Sequence, residues 1–222
     1  MSRRLRALVV VLLAAVVVLG VQALVGSPSA PASVPDGTAV AQLETLPVKG
    51  RAPQTGYERE EFGDGWADLD WNGCDTRNDV LARDLVEETL VDGCRVATGV
   101  LLDPYTGRTI HFVRGEETSA DVQIDHVVSL SNAWQTGAQQ LSETERIAFA
   151  NDPLNLLAVA GEVNAGKGDG DAATWLPPLR SVRCDYVARQ IAVKAEYDLW
   201  VTPPEHDAML RVLDGCPGHP AA

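Results

Sequence analysis

The sequence predicts an α+β fold, and three observations carry that prediction. Segments with strand character occupy the middle of the chain, and segments with helical periodicity lie at both ends. No internal repeat is visible. Apolar residues make up 45% of the 222 residues, close to the ~45–50% of ordinary globular domains. That content excludes a disordered acidic tail, a collagen and a multi-span membrane protein.

The elements follow in order. Val80, Leu81, Leu85 and Val86 recur at helical spacing and predict a helix from Asp79 to Leu90. Arg95 to Asp103 and Arg108 to Arg114 flank Asp103-Pro104-Tyr105-Thr106-Gly107, whose Pro and Gly favour a turn, so a β-hairpin is expected. Val122 to Val128 reads as another strand. Ser142-Glu143-Thr144-Glu145 is a capping box opening a helix that Pro153 ends. Leu154 to Val159 is a short apolar strand, and Ser181 to Trp200 a helix. Thr202 and Pro203 sit as N-cap and first residue of a last helix.

The chain ends set the compartment. Arg3, Arg4 and Arg6 precede an apolar run from Ala7 to Leu19 that continues to Val25, and small residues from Ser27 to Ala32 follow. Residues 1–32 therefore read as a secretory signal peptide or, since the run is long, as an uncleaved single-span membrane anchor. Either way the remainder is exported: secreted, or held at the outer face of the cytoplasmic membrane. Residues 33–56, rich in Pro, Ala, Gly and Thr, read as a flexible linker, leaving 57–216 as one folded domain. Cys74, Cys94, Cys184 and Cys216 make an even count in an exported chain, hence two disulfides. Of the three connectivities, the sequential one closes the shortest loops.

The formal net charge is -13. Loss of residues 1–32 removes three arginines and no acid, which brings the chain near -16. Such a body argues against a tight, non-catalytic nucleic-acid binder, since phosphates are met with Lys and Arg. It leaves room for a local site. Within Val163–Ala195, Lys167, Arg180, Arg183, Arg189 and Lys194 outnumber Asp169, Asp171 and Asp185.

Four histidines limit the catalytic choices. His219 lies in the tail, His206 in the first turn of the last helix, and His111 between two apolar strand residues. His126 differs. It follows Asp125 within Val122-Gln123-Ile124-Asp125-His126-Val127-Val128, and an adjacent carboxylate and imidazole among apolar residues need partners or an ion. Neighbouring strand residues point to opposite faces, so a strand holding both at one site must end or twist there. Asn155 interrupts the apolar Leu154–Leu157 run, and Asn164 and Lys167 follow in Asn164-Ala165-Gly166-Lys167-Gly168-Asp169.

This order resembles the HNH, or ββα-metal, endonuclease superfamily. It is most similar to the secreted bacterial HNH-family proteins related to the C-terminal domain of GmrSD restriction enzymes. The similarity extends through Trp66-Ala67-Asp68-Leu69-Asp70, Cys74-Asp75-Thr76-Arg77-Asn78 and Tyr186-Val187-Ala188-Arg189-Gln190. The resemblance implies a ββα-metal (His-Me finger) core at about 121–180. Around it would lie a hairpin-containing extension at 57–120 and C-terminal helices at 181–216.

It implies further a metal-dependent endonuclease acting on DNA, with RNA left open as a substrate, and no stable protein partner. His126 would be the general base, Asn155 would brace it, and Asp125 and Asn164 would hold one divalent cation. Asn164 stands where the family name records a final His. Its oxygen favours Mg²⁺, with Mn²⁺ or Ca²⁺ as other oxygen-seeking ions, over zinc. Lys167 is the candidate phosphate contact, and Arg77, Asn78 and Arg189 are candidate substrate-binding residues.

Two other readings come from the residues. Asp68-Leu69-Asp70-Trp71-Asn72-Gly73 fits the start of an EF-hand loop, with Asp79 at position twelve, so the alternative is a non-catalytic exported calcium-binding module. A hydrolase pairing His126 with Ser129 or Ser131 ranks lower, because no GxSxG motif is present.

Overall fold

Five short strands and seven α-helices form the architecture of residues 36–222, the part of the chain that the computed structural model describes. The signal or anchor segment lies outside these residues. Among the described residues no helix is long and apolar enough to cross a membrane.

The hairpin predicted around Pro104 is present. Strands β1 (Val86–Val91), β2 (Arg95–Leu102) and β3 (Thr109–Val113) form an antiparallel sheet in that order, with Leu102 opposite Thr109 and Thr98 opposite Val113. Gly107 takes φ +74°, the left-handed region its turn position needs, and donates its amide to the Asp103 carbonyl at 2.8 Å. The Asp103 carboxylate, fully buried, accepts from the Ala160 amide at 3.0 Å and from the Thr106 hydroxyl. The turn is thereby fastened to the second sheet, and Tyr105 is carried into the interior.

That second sheet pairs β4 (Val122–His126) antiparallel with β5 (Leu156–Ala160), His126 opposite Leu156 and Val122 opposite Ala160. Two helices lie between them in sequence, α3 (Leu130–Gln135) and α4 (Glu143–Asn151). The Ser142/Glu145 capping box opens α4 as predicted. Helix α5 (Gly161–Lys167) follows β5 directly and packs on both strands of the pair. Helices α6 (Arg183–Glu196) and α7 (Pro203–Leu213) close the chain. Thr202 caps α7, and Glu205 completes its capping box.

Two segments differ from expectation. Thr76–Asp84 forms helix α2, N-capped by the Asp75 carboxylate, but the chain turns extended at Leu85 and continues as β1. Val80, Leu81 and Leu85 share one buried cluster with Val96 and Phe112 of the hairpin, while every residue of β1 is exposed. The apolar spacing that suggested a longer helix therefore runs past the helix: Val80, Leu81 and Leu85 enter the core, and Val86 begins an exposed strand. The second segment is 36–56, the described part of the stretch 33–56 expected to be a flexible linker. It contains helix α1 (Ala39–Leu43), and Ala39, Leu43 and Leu46 are buried against α6 and α7. Thr38 bridges to Pro220, and Val48 to Val201. A stretch of small residues here supplies apolar contacts at a few positions, which composition alone does not reveal.

Three apolar clusters surround the β4–β5 pair. One joins α1, α6 and α7 with Tyr105 and Tyr186. A second groups Phe62, Trp134, Phe149 and Leu199. The third fills the space between α2, the hairpin and the second sheet. The disulfides are Cys74–Cys94 and Cys184–Cys216, the sequential pairing. The second closes a 32-residue separation and fastens α6 to the end of α7, a constraint worth about 3–4 kcal/mol on the loop-entropy account.

Candidate active site

Strand β4 ends at His126, and the two neighbours expected to matter point to different surroundings. His126 is 7% exposed. Its Nε2 lies 2.8 Å from the Ala150 carbonyl at the end of α4. A carbonyl only accepts, so Nε2 carries the proton and Nδ1 is left as the basic nitrogen. Trp66 stacks on the ring at 5.6 Å between centroids and 7° between planes. Burial pushes the imidazole pKa down to about 3. The Ala150 bond opposes that shift, and the charges of Arg59 and Lys167 add to it. The ring is thus neutral, with fixed tautomer and fixed plane.

Asn155, buried just ahead of β5, braces the turn that leaves His126. Its Oδ1 accepts from the Val128 amide at 2.8 Å, its Nδ2 donates to the Val128 carbonyl at 3.3 Å, and its own carbonyl accepts from Val127 at 2.8 Å. Asn155→Ala would leave the buried Val128 amide and carbonyl without their partner, at a cost of about 1–3 kcal/mol. Chemical denaturation of this variant should show a midpoint shift of that size. A midpoint equal to wild type would remove Asn155 from any bracing role.

Asp125 is 3% exposed and has partners of its own. Lys167 Nζ, fully buried at the end of α5, donates to Oδ1 at 2.7 Å and Oδ2 at 2.9 Å, and to the His126 carbonyl at 2.5 Å. The Tyr105 hydroxyl donates to Oδ2 at 2.5 Å. Burial, and then the Asp125 charge, hold the Tyr105 phenol well above its ordinary pKa, so it stays a donor. Lys167, expected to meet phosphate, is therefore committed to Asp125. Asn164 lines the same cleft as His126 but donates Nδ2 to Gln123 Oε1 at 2.9 Å.

The implied divalent ion can be tested against these contacts. Both oxygens of the expected carboxylate ligand already face an ammonium or a phenol, and an incoming dication would meet the Lys167 charge first. Asp125 and Asn164 do not fit an ion while Lys167 keeps this position. Among the described residues, no group of three or more His, Cys, Asp or Glu is placed to hold a metal. In the EF-hand-like loop, Asp68 and Asp70 accept from the Asn72 amide, Asp68 also from Gly73, and Asp79 from the Asn72 side chain.

The remaining candidates divide. Arg77 lines the cleft, with its guanidinium donating to the Ser119 and Val122 carbonyls at 3.4 and 3.2 Å. Asn78 does not reach it. Asn78 is buried between Asp75, the Val96 amide and Arg114, where it joins α2 to the hairpin. Arg189 holds the Leu154 and Pro153 carbonyls, away from the cleft. Lys194 forms a fully buried pair with Glu205 at 3.0 Å. The basic cluster read from Val163–Ala195 is thus largely spent on internal contacts. Ser129 caps α3, and Ser131 donates to Asp169; among the described residues neither hydrogen-bonds His126.

The cleft itself measures about 460 Å³, and His126, Asp125, Asn164 and Arg77 line it. Its other walls include Tyr57, Arg59, Trp66, Gln123 and Asp169. Of these, Trp66, Gln123 and Asp169 lie in stretches that the sequence singled out, and Tyr57 and Arg59 do not.

A family model described as "GmrSD restriction endonucleases, C-terminal domain" matches residues 75–212. A protein of Arthroderma benhamiae described as an uncharacterized secreted protein is 39% identical over 207 residues, covering 92% of this chain and 96% of that one. No solved structure matches the chain.

Proposed function

Since the chain belongs to the family of GmrSD restriction endonuclease C-terminal domains, a nuclease-related family, we propose that it is an exported endonuclease that hydrolyses phosphodiester bonds in DNA, with RNA left open. Strands β4 and β5 with helix α5 would be its ββα unit, and His126 its general base. The observation that carries this reading is the state of His126: neutral, oriented by Ala150 and Trp66, and lining a cleft. A neutral imidazole takes a proton from water as the water oxygen bonds to phosphorus and the bond to the leaving 3′ oxygen breaks, a contribution typically worth ~10²–10⁴-fold where the base's pKa lies near the working pH. The burial that keeps this ring neutral also weakens it as a base. Asn155 keeps the turn after His126 in place. Arg77, which lines the cleft, would meet the phosphate.

Divalent metals are general in HNH-type nucleases, where they stabilise phosphate charge and the leaving oxygen. The residues expected to hold one, Asp125 and Asn164, become available only if Lys167 leaves Asp125. Export is supported by the N-terminal sequence, the two disulfides and the secreted relative.

The test is incubation of the soluble chain with plasmid and with RNA, with Mg²⁺, Mn²⁺ or chelator. Strand cleavage is the expected result, and the chelator arm reads whether it needs an ion. Absence of cleavage under every condition would overturn the endonuclease reading.

A further inference from the structure

Resting on the endonuclease reading, we infer that Arg59 is a substrate-binding residue of this cleft, contacting the phosphodiester beside His126. The inference starts from a deficit. A body with a net charge of -13 repels a polyanion, so a phosphate must be met by local cations. Lys167 is neutralised by Asp125 and buried. Arg77 spends part of its guanidinium on two backbone carbonyls. Asp169 adds a negative charge to the same walls. Without Arg59 the cleft holds Arg77 against Asp169 and has no net attraction for phosphate.

Arg59 restores that attraction. It sits on the 3-10 turn Arg59–Phe62, anchored by the buried Phe62. Its own side chain is exposed and makes no hydrogen bond or ion pair among the described residues. It lines the 460 Å³ cleft and also an adjoining cavity of about 140 Å³, and His126 and Trp66 line both. A guanidinium with unspent donors presents the planar fork that phosphate oxygens accept. Arg59 and Trp66 precede the matched residues 75–212, so the cleft is completed by a segment outside that match.

The experiment compares Arg59→Ala and Arg59→Lys in the full soluble chain. Binding of a fluorescent duplex oligonucleotide is read by anisotropy across a salt series in a His126→Ala background, and KM and kcat are read on plasmid in the otherwise native chain. Arg59→Ala should weaken binding about tenfold at moderate salt. It should lower the slope of log K against log salt by about 0.9, the value for one duplex phosphate contact. KM should rise more than kcat falls. Arg59→Lys should recover most of the salt slope, because the charge is kept. Melting should be unchanged in both, since the side chain supports nothing else. Unchanged affinity, salt slope and KM in Arg59→Ala would overturn the assignment. Native protein that binds but does not cleave would overturn the endonuclease reading alone.

Discussion

Replacement of Lys167 by Met should destabilise the protein by about 3–5 kcal/mol, because it leaves Asp125 as an uncompensated buried charge. The Lys167 ammonium is fully buried and makes three contacts within 2.9 Å, two to the carboxylate and one to the His126 carbonyl. Tyr105 alone would remain on Asp125. For a domain of this size the loss corresponds to a fall in Tm on the order of 6–20 °C. The double variant Lys167→Met/Asp125→Asn removes the charge along with its partner and should recover most of the loss. A single variant that melts within 2 °C of wild type (~0.5–1 kcal/mol) would show the pair to be energetically idle. Addition of Mg²⁺ gives a second reading. In the single variant Asp125 is freed of its ammonium, so Mg²⁺ should raise Tm there and have little effect on the native chain.

Replacement of His126 by Ala should reduce cleavage by ~10²–10⁴-fold, the usual loss of a positioned general base. Binding of the oligonucleotide should persist, since Arg59 and Arg77 remain. The depressed imidazole pKa adds a pH signature. A pKa near 3 keeps the ring neutral from pH 8 down through pH 5. The kcat profile should therefore lack the acid limb near 6.5 that an unshifted histidine would impose. A variant that retains a tenth or more of native activity would exclude His126 as the base. A limb at 6.5 would show that the ring is more solvated than its contacts with Trp66 and Ala150 imply.

Local signals in the sequence were the most legible. The hairpin around Pro104 and the helix starts at Ser142 and Thr202 are written in residues close together in the chain, whereas the strand expected over Val122–Val128 ends at His126. Leu85 and Val86 keep the helical spacing of α2, while the pairing of β1 with β2 decides the conformation after Asp84. The family motifs located Asp125, His126, Asn155 and Asn164, yet they could not say what each side chain touches. Lys167 lies 42 residues from Asp125, and only the packing of α5 on β4 brings their charges together. Tyr105 reaches the same carboxylate from a turn whose sequence indicates only a change of direction. Asn78 and Arg189 carry polar groups suited to a substrate but are held by backbone groups or neighbouring side chains. Arg59 lies in an acidic stretch with no motif of its own, and only the fold brings it into the same cleft as His126.

The two ends of the described chain are also paired. Ala39 donates its amide to the His219 carbonyl at 2.9 Å, Ala221 to the Gly37 carbonyl at 3.0 Å, and Thr38 bridges to Pro220. This pairing sets a boundary on maturation: a cut upstream of Gly37 leaves every bond of the clasp intact, whereas a cut beyond Ala39 removes all three partners of the C-terminal tail and the Thr38 cap of the first helix.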